Sequence, residues 1–271
     1  MATQSKILIF ENSFILANYL LKLWQGIAQQ SIADHNQFNA ALSGGRTPAE
    51  FYCRLSTIDD DALWQKTHLF LGDEHVVPAG HKENNYRMIK SNLVDYIHIP
   101  QGHVHMIPMD VANAAVAAEH FKHELIGHFS YQRKPLPTFD LILLGVGEDG
   151  HTASLFPSMA NIADPNLVTM PVSLPHLKSD RVSISLSVIN NAHYVIFLVL
   201  GKHKSEIMHE ILEKNFTCPA SQVNPAHGEL IFLLDSEAAR KLSKSFIHAH
   251  EQDAFSLPTG RVGPAPRDRQ A

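Results

Sequence analysis

Short apolar segments, each followed by polar or glycine-rich residues, recur along the chain. They predict strands at 38–42, 68–72, 139–146, 182–188, 194–200 and 230–234. Most of these segments are apolar throughout, which is typical of strands covered on both faces of a sheet. The segment 182–188 alternates between apolar and polar residues and therefore indicates an antiparallel or edge strand.

Helical patterns lie between several of the predicted strands. The segment 13–33 carries leucine and isoleucine on one stripe, 111–129 is rich in alanine, and 202–214 repeats isoleucine at helical spacing. Strands that alternate with helices predict an α/β fold, with a Rossmann-like, mainly parallel sheet and helices on both faces.

The length of 271 residues allows one large α/β domain or two small ones. No internal repeat is evident, and the best linker candidate, 131–138, is short and leads directly into a strand. The segment 257–271 is rich in Pro, Gly and Arg, as disordered termini often are. We therefore predict a single domain over 1–256 and a disordered tail over 257–271.

Composition and charge exclude several classes of protein. The net charge of −5 argues against a dedicated nucleic-acid binder, which normally carries a basic patch. The apolar run at the N-terminus is too short for a signal peptide, and no segment is apolar enough to span a membrane. The two cysteines, Cys53 and Cys218, fit a reducing compartment and are expected to be small buried apolar residues. A cytoplasmic protein acting on a small molecule is expected.

The 18 histidines raise the question of a metal site. The closest pairs are His103 with His105 and His248 with His250. Neither pair has a carboxylate or a third histidine at a diagnostic spacing, and no HExxH helix is present. Structural or solvated roles are expected for these histidines, and no metal is predicted.

Residues 43–46, here called the anion loop, follow the predicted strand 38–42. We expect a helix to start there with Thr47 as the N-cap, Pro48 at the first helical position and Glu50 closing a capping box. Glycines, a helix N-terminus and the guanidinium of Arg46 together favour binding of a phosphate or carboxylate. The alternative is a tight turn with an exposed arginine.

The sequence GVGEDG at 145–150 contains the spacing of a dinucleotide-binding loop. That fingerprint requires a long helix after its third glycine. Here Pro157 limits any helix to a short or kinked one, and two carboxylates would repel a pyrophosphate. Dinucleotide binding is therefore not expected.

The same loop presents His151 beside Asp149, just after a predicted strand. An imidazole accepts protons near neutral pH, so His151 is a candidate general base, and Asp149 a candidate partner that holds its tautomer. A backbone N–H of the loop is a candidate oxyanion donor. The alternative is that His151 only caps a turn.

A further polar loop follows the predicted strand 68–72. It carries Asp73 and Glu74, with Asn85 and Arg87 nearby, and these are hydroxyl and phosphate partners in type. One such loop is often only surface polarity. Three polar loops after three strands favour a shared binding site at the carboxyl edge of the sheet.

Six motifs follow one another along the chain: SGGRTP, GDEHVVP…NNYR, GVGEDGHTASLFP, SDRVSISLSVIN, FLVLGKHK and GELIFLLD. In this order they resemble the motifs of the 6-phosphogluconolactonase family, and the resemblance covers about residues 10–242. The resemblance implies the modified Rossmann-like sheet of glucosamine-6-phosphate deaminase, ribose-5-phosphate isomerase and the coenzyme A transferases. It also implies hydrolysis of 6-phospho-D-glucono-1,5-lactone without metal or organic cofactor.

The resemblance further implies roles for individual residues. His151, with Asp149, falls on the catalytic position. The implied substrate and phosphate contacts are Ser43, Gly44, Gly45, Arg46, Asp73, Asn85, Arg87, Gly150, Arg181 and Lys204.

Two departures from the family pattern are present. The family commonly has the motif DER where this chain reads Asp73-Glu74-His75, which puts the role of position 75 in doubt. It commonly has SNY at 84–86, where this chain has Asn84 in place of the serine. The rival functions are an amino-sugar phosphate isomerase-deaminase with Asp73 as base, and a catalytically silent sugar-phosphate sensor. The lactonase hypothesis requires that His151 and the anion loop face one cleft.

Overall fold

Parallel strands form the main sheet of the protein, whose computed structural model describes residues 5–160 and 162–250. The strands are β1 (Lys6–Phe10), β2 (Phe38–Leu42), β3 (Thr67–Leu71), β4 (Asp73–His75), β5 (Val104–His105), β6 (Leu141–Leu144), β7 (Thr169–Val172), β8 (Arg181–Ile184), β9 (Tyr194–Val199) and β10 (Glu229–Asp235). The main sheet has the order β1-β10-β9-β6-β2-β3-β5, and the order β4-β8-β7 forms a smaller sheet. The predicted tail at 257–271 lies outside the described residues.

Helices connect most of these strands. They are α1 (Ser13–His35), α2 (Arg46–Leu55), α3 (Asp61–Trp64), α4 (Asn85–Asn92), α5 (Ala114–Phe129), α6 (Leu186–Ile189), α7 (Ser205–Glu213), α8 (Ser236–Ala239) and α9 (Lys244–His250). Short 3-10 turns lie at Val94–Tyr96, Gln101–His103, Ser130–Gln132, Lys202–Lys204 and Ala220–Gln222. Among the described helices, none combines the length and the apolar character that a bilayer crossing requires.

The central strands are buried along their whole length. Every residue of β2 and β6 is buried, as is almost every residue of β9 and β10. All neighbouring strands of the main sheet pair in parallel. Continuous burial explains why these segments are uniformly apolar, and the predicted mainly parallel α/β fold is confirmed.

The smaller sheet accounts for the one alternating segment. The β8 strand pairs antiparallel with both β4 and β7, which confirms the antiparallel strand expected near 182–188. The strand ends earlier than predicted, however, because Ser185 accepts the N–H of Val188 and starts α6. An N-cap serine thus overrides the β pattern of the following residues.

Other predicted boundaries are also corrected. The segment 139–146 is a strand only at Leu141–Leu144. The short apolar run before Glu11 forms β1, which pairs in parallel with β10, although it was considered only as a possible leader. The strands β4, β5 and β7 were not predicted. Each has four residues or fewer, and a segment that short shows no recognisable strand pattern until its pairing partner is known.

The predicted start of α2 is wrong by two residues. Gly45, not Thr47, is the N-cap, at φ +96°, and no side chain caps the helix there. Pro48 consequently occupies the third helical position, where the missing N–H is still tolerated because first-turn amides have no intrahelical partner. The capping box with Glu50 does not form.

The two cysteines differ in their environments. Cys218 is buried, as predicted, whereas Cys53 is exposed, so the prediction is wrong for Cys53. The cause is helical periodicity, because Phe51, Tyr52 and Leu55 take the inward face of α2. Both thiols are free.

Aromatic rings join α1, α2 and the sheet. Trp24 contacts Phe38 edge-on at a centroid distance of 5.1 Å and Phe51 at 6.0 Å. All three side chains are almost completely buried. This contact fixes α2, and with it the anion loop, against the strands.

We expect Phe51→Ala to lower the free energy of unfolding by about 3–5 kcal/mol, because it leaves a cavity in this aromatic contact. Denaturant unfolding measures the change. The matched control is Phe14→Ala, which removes a ring that is 57% exposed and lies under Arg54. It should cost less than about 1 kcal/mol. Equal losses for the two variants would contradict the assignment of Phe51 to the core.

Candidate active site

A cleft of about 1320 Å³ opens at the carboxyl edge of the main sheet. Parallel strands end at the same edge, so the loops after β2, β3, β6 and β9 meet there. Among the predicted site residues, those that line the cleft are Ser43, Gly44, Gly45, Arg46, Asp73, Asn85, Asp149, His151, Arg181 and Lys204. The condition that His151 and the anion loop share one cleft is therefore met.

His151 and Asp149 form a direct hydrogen bond. The Nδ1 atom of His151 lies 2.5 Å from Oδ1 of Asp149, and the His151 backbone N–H donates to the same oxygen at 3.1 Å. A carboxylate accepts only, so the neutral imidazole carries its proton on Nδ1. The lone pair is then on Nε2, where a proton can be accepted.

The Asp149 carboxyl is held in its charged form. Burial alone would raise its pKa, but the hydrogen bonds and the positive charge from His151 outweigh that effect and lower the pKa. Asp149 therefore remains a carboxylate that orients the imidazole and stabilises its protonated form.

The imidazole of His151 is confined on two sides. A Cβ atom added to Gly147 would come within 2.1 Å of His151 Nδ1, so only glycine lets the ring lie so close to the backbone. Phe156 lies on another side, with a centroid distance of 4.6 Å. The guanidinium of Arg181 also sits over Phe156, at 5.4 Å, so this ring helps to place both polar groups. Sequence analysis did not single out Phe156.

The anion loop is tied to the strands beneath it. The hydroxyl of Ser43 donates to the carbonyl of Leu143 at 2.6 Å, and Tyr52 donates to the Ser43 carbonyl at 2.7 Å. The loop is thus joined to both β6 and α2, while the side chain of Arg46 remains exposed at the cleft. This arrangement leaves the arginine available for an anion.

A buried hydrogen-bond network links two of the site loops. Ser154 donates to Oδ2 of Asp73 at 2.6 Å, and the Asn85 amide donates to the Asp73 carbonyl at 2.9 Å. The Asn85 side chain also packs directly against Gly44 of the anion loop. Ser154 lies three positions after His151 and was not singled out from the sequence. The network sets the position of residues 145–151, here called the histidine loop, relative to β4.

Glu74 lies behind the cleft rather than in it. Its carboxyl accepts the backbone N–H groups of His75, Asn85 and Tyr86 at 2.7–2.9 Å, so it joins β4 to the start of α4. Burial raises the pKa of Glu74 to about 7, against the opposing effect of these hydrogen bonds. Glu74 is therefore a positioning group.

Cationic groups approach the cleft from two directions. Arg181 on β8 lies directly across from His75 on β4, and burial, with the charge of Arg181, lowers the pKa of His75. Lys204 follows β9 on the other side. Burial lowers the pKa of Lys204, while Glu148 and Asp149 oppose the shift.

Asp235 holds the loop that carries Lys204. Both of its carboxylate oxygens accept the N–H of Gly201, at 2.9 and 3.0 Å, and one also caps α8 at Ala238. This residue ends β10, far from Lys204 in sequence, so only the pairing of β9 with β10 reveals its role.

Two predicted contacts are not brought to the cleft. Arg87 lies on α4, is exposed, and is not among the lining residues. Gly150 is buried against Cys218 and also does not line the cleft, although it shapes the turn beside His151. The helix considered at 152–156 does not form, and an isolated bridge between Thr152 and Leu155 occupies the segment.

Comparison with known proteins identifies relatives over most of the chain. A sequence model of the family described as glucosamine-6-phosphate isomerases/6-phosphogluconolactonase matches residues 11–232. The 6-phosphogluconolactonase of Synechocystis sp. is 36% identical over 247 residues, which cover 89% of this chain and 99% of the relative.

Solved structures give the same result for the fold. A 6-phosphogluconolactonase from Trypanosoma cruzi is 27% identical with a TM-score of 0.79, covering 90% of this chain and 98% of the other. A monomeric glucosamine-6-phosphate deaminase is 18% identical with a TM-score of 0.71, covering 87% of this chain and 99% of the other. At that identity the deaminase shares only the fold.

We expect the Glu74→Gln variant to flatten the pH dependence of stability. The Glu74 carboxyl ionises near pH 7 in the fold but near its ordinary pKa of 4.5 in the unfolded chain. The unfolded chain therefore releases its proton first, and the free energy of unfolding falls as the pH rises from 4.5 to about 7. Glutamine cannot ionise, so this contribution disappears even if overall stability is lower.

Denaturant unfolding at several pH values measures the effect. The control is Glu119→Gln, which changes an exposed carboxylate on α5 and should keep the wild-type slope. Parallel pH profiles for wild type and Glu74→Gln would contradict the prediction.

Proposed function

The chain belongs to the glucosamine-6-phosphate isomerase/6-phosphogluconolactonase family, and from this premise we propose that it hydrolyses 6-phospho-D-glucono-1,5-lactone with His151 as general base. The product is 6-phospho-D-gluconate, and the reaction belongs to the oxidative pentose phosphate pathway. One observation carries the proposal: the His151–Asp149 pair and the anion loop line the same cleft.

The first step is attack of water on the lactone carbonyl. With Nδ1–H directed to Asp149, Nε2 of His151 accepts a proton from the water as its oxygen bonds to C1. The carbonyl oxygen becomes an oxyanion and the imidazole becomes an imidazolium. The Asp149 carboxylate stabilises that positive charge.

The second step opens the ring. The bond between C1 and the ring oxygen breaks as the C1 oxyanion re-forms a carbonyl. The imidazolium returns its proton to the departing ring oxygen, which becomes the C5 hydroxyl, and His151 is neutral again. The carboxylic acid then ionises at neutral pH, so one proton is released per lactone. The reaction uses only water and lactone, and no cofactor is part of the proposal.

The oxyanion donor is assigned to the histidine loop by elimination. The amides of Gly147 and Gly150 donate to backbone carbonyls, and those of Asp149 and His151 serve the Asp149 carboxylate. The amide of Glu148 is left as the oxyanion donor in this proposal. A backbone N–H held in a fixed position stabilises a developing oxyanion without having to reorient.

The phosphate of the substrate is assigned to the cations around the cleft. Arg46, Arg181 and Lys204 all line it, and both Arg181 and His151 contact Phe156. Binding of the phosphate, which is remote from the reacting carbonyl, holds that carbonyl in position. It therefore lowers the entropic part of the activation free energy. The small-molecule lactone is the proposed partner, and the free thiols Cys53 and Cys218 support a cytoplasmic location.

A pH-stat assay on freshly generated lactone tests the function. The purified chain should release acid well above the spontaneous rate, which must be subtracted because such lactones open unaided. A parallel assay of ammonia release from glucosamine 6-phosphate should be negative. Ammonia release without lactone hydrolysis would replace the proposal by the deaminase rival. Activity in neither assay, with tight binding of sugar phosphates, would favour the sensor.

We expect His151→Ala to lower kcat by about 10²–10⁴-fold, the usual contribution of a general base, while binding of 6-phosphogluconate is retained. The control is His203→Ala, which removes a cleft imidazole that has no assigned role in the reaction. Stopped-flow hydrolysis and calorimetry give the two quantities. Near-wild-type turnover in His151→Ala would refute the role of the base.

We expect Lys204→Met to raise KM for the phosphorylated lactone by roughly 10-fold or more, since a charge-assisted contact is lost. Hydrolysis of unphosphorylated gluconolactone should change little. The neighbouring Lys202→Met is a matched control, because Lys202 is exposed and does not line the cleft. An equal effect on both lactones would contradict phosphate recognition by Lys204.

A further inference from the structure

Three histidines that do not line the cleft meet elsewhere in the fold. His68 lies on β3, His105 on β5 and His128 in the last turn of α5, and each offers one ring nitrogen within 4.8 Å of the others. We call them the histidine cluster. His68 is the second residue of β3, and His105 ends β5, where it pairs with Phe70. None of the three lines the cleft.

A carboxylate fixes the tautomer of His105. Its Nδ1 atom lies 2.8 Å from Oε1 of Glu124 on α5, so in the neutral ring Nδ1 carries the proton and Nε2 carries the lone pair. Metal-binding histidines commonly use this carboxylate–histidine arrangement, which orients the ring and makes the ligand nitrogen more basic.

An amide fixes the tautomer of His128 in the same way. The Asn39 amino group donates to Asp140 and to Tyr131, both at 3.3 Å, so its carbonyl oxygen is the atom facing His128. The Nε2–H of His128 donates to that oxygen at 2.7 Å. The lone pair of His128 is therefore on Nδ1.

The distance between the ring nitrogens of His68 and His105 is close to the distance between two nitrogen ligands of one metal ion. His68 Nδ1 lies 3.1 Å from His105 Nε2, which carries the lone pair, so without an ion His68 must place its own proton between them. Two nitrogens on a tetrahedral zinc ion, each about 2.0–2.1 Å from the metal, are about 3.3 Å apart. An ion between the two rings would replace that proton. The neutral His68 ring would then carry its proton on Nε2 and its lone pair on Nδ1.

Neighbouring rings pack against two members of the cluster. The His105 ring stacks on Phe70 at 4.0 Å, and the His68 ring stacks on His103 at 3.8 Å. These contacts restrict rotation of both imidazole rings, as a preorganised ligand set requires.

We propose that His68, His105 and His128 bind one divalent transition-metal ion of the zinc class, with a fourth coordination position left for water. Imidazole nitrogen suits zinc, copper and nickel rather than magnesium or calcium, which prefer oxygen. The ion cross-links the edge strand β5 to β3 and α5. Since the cluster does not line the cleft, lactone hydrolysis does not pass through this ion.

The site is tested by zinc titration of the tag-free full-length chain, from which bound metal has first been removed with a chelator. Calorimetry in competition with a chromogenic chelator should give one tight Zn²⁺ equivalent per chain, and Zn²⁺ should raise the unfolding temperature. Replacing Zn²⁺ by Co²⁺ should give the visible absorption spectrum of a four-coordinate cobalt ion with nitrogen ligands.

The variants separate this site from other histidines. His105→Gln should lose the tight equivalent, whereas His103→Gln should keep it, because His103 stacks on the cluster without being one of its ligands. His151→Ala should also keep it, which excludes binding in the cleft. Glu124→Gln removes only a half-exposed partner of His105 and should weaken Zn²⁺ binding by about 10–100-fold without unfolding the chain.

Two results would overturn the proposal. One is the absence of a tight Zn²⁺ equivalent in the folded wild-type chain. The other is an equivalent whose affinity is the same in wild type, His105→Gln and Glu124→Gln. Neither result depends on hydrolytic activity, so the outcome is independent of the proposed reaction.

Discussion

The parallel register of the main sheet is the constraint on which the rest of the structure depends. Parallel strands end at one edge, and their largely apolar, buried faces leave most of the polar side chains near this edge to the loops beyond the strand ends. The loops after β2, β3, β6 and β9 are therefore brought together whatever their separation along the chain. The anion loop, Asp73, His151 and Lys204 reach one cleft for this reason.

Within the cleft, the orientation of His151 depends on groups that do not react. Asp149 fixes the tautomer, Gly147 allows the ring to lie on the backbone, and Phe156 packs against it. Ser154 then ties the segment to β4 through Asp73. Buried polar groups are satisfied by one another, and a satisfied network has one low-energy arrangement. The imidazole is consequently held in one orientation, as the proposed role of a general base requires.

Outside the cleft, a second group of imidazoles is also oriented by hydrogen bonds to polar side chains. The histidine cluster is oriented by Glu124 and Asn39, much as His151 is oriented by Asp149. The contrast lies in access and charge. His151 is partly exposed and faces a cleft with cations, whereas His105 is buried between aromatic rings. One imidazole suits proton transfer, and the cluster suits a bound ion.

The sequence by itself determined the local patterns: the buried strands, the helix at 13–33, and the loop residues Asp149 and His151 with the anion loop. These follow from side-chain periodicity and turn chemistry, which are properties of neighbouring residues. Only the tertiary structure decided that Gly45 is the N-cap of α2, that Arg87 stays outside the cleft, and that three distant histidines meet. Those outcomes depend on strand pairing and on packing between segments that are remote in sequence. Local propensity does not determine which remote segments come into contact.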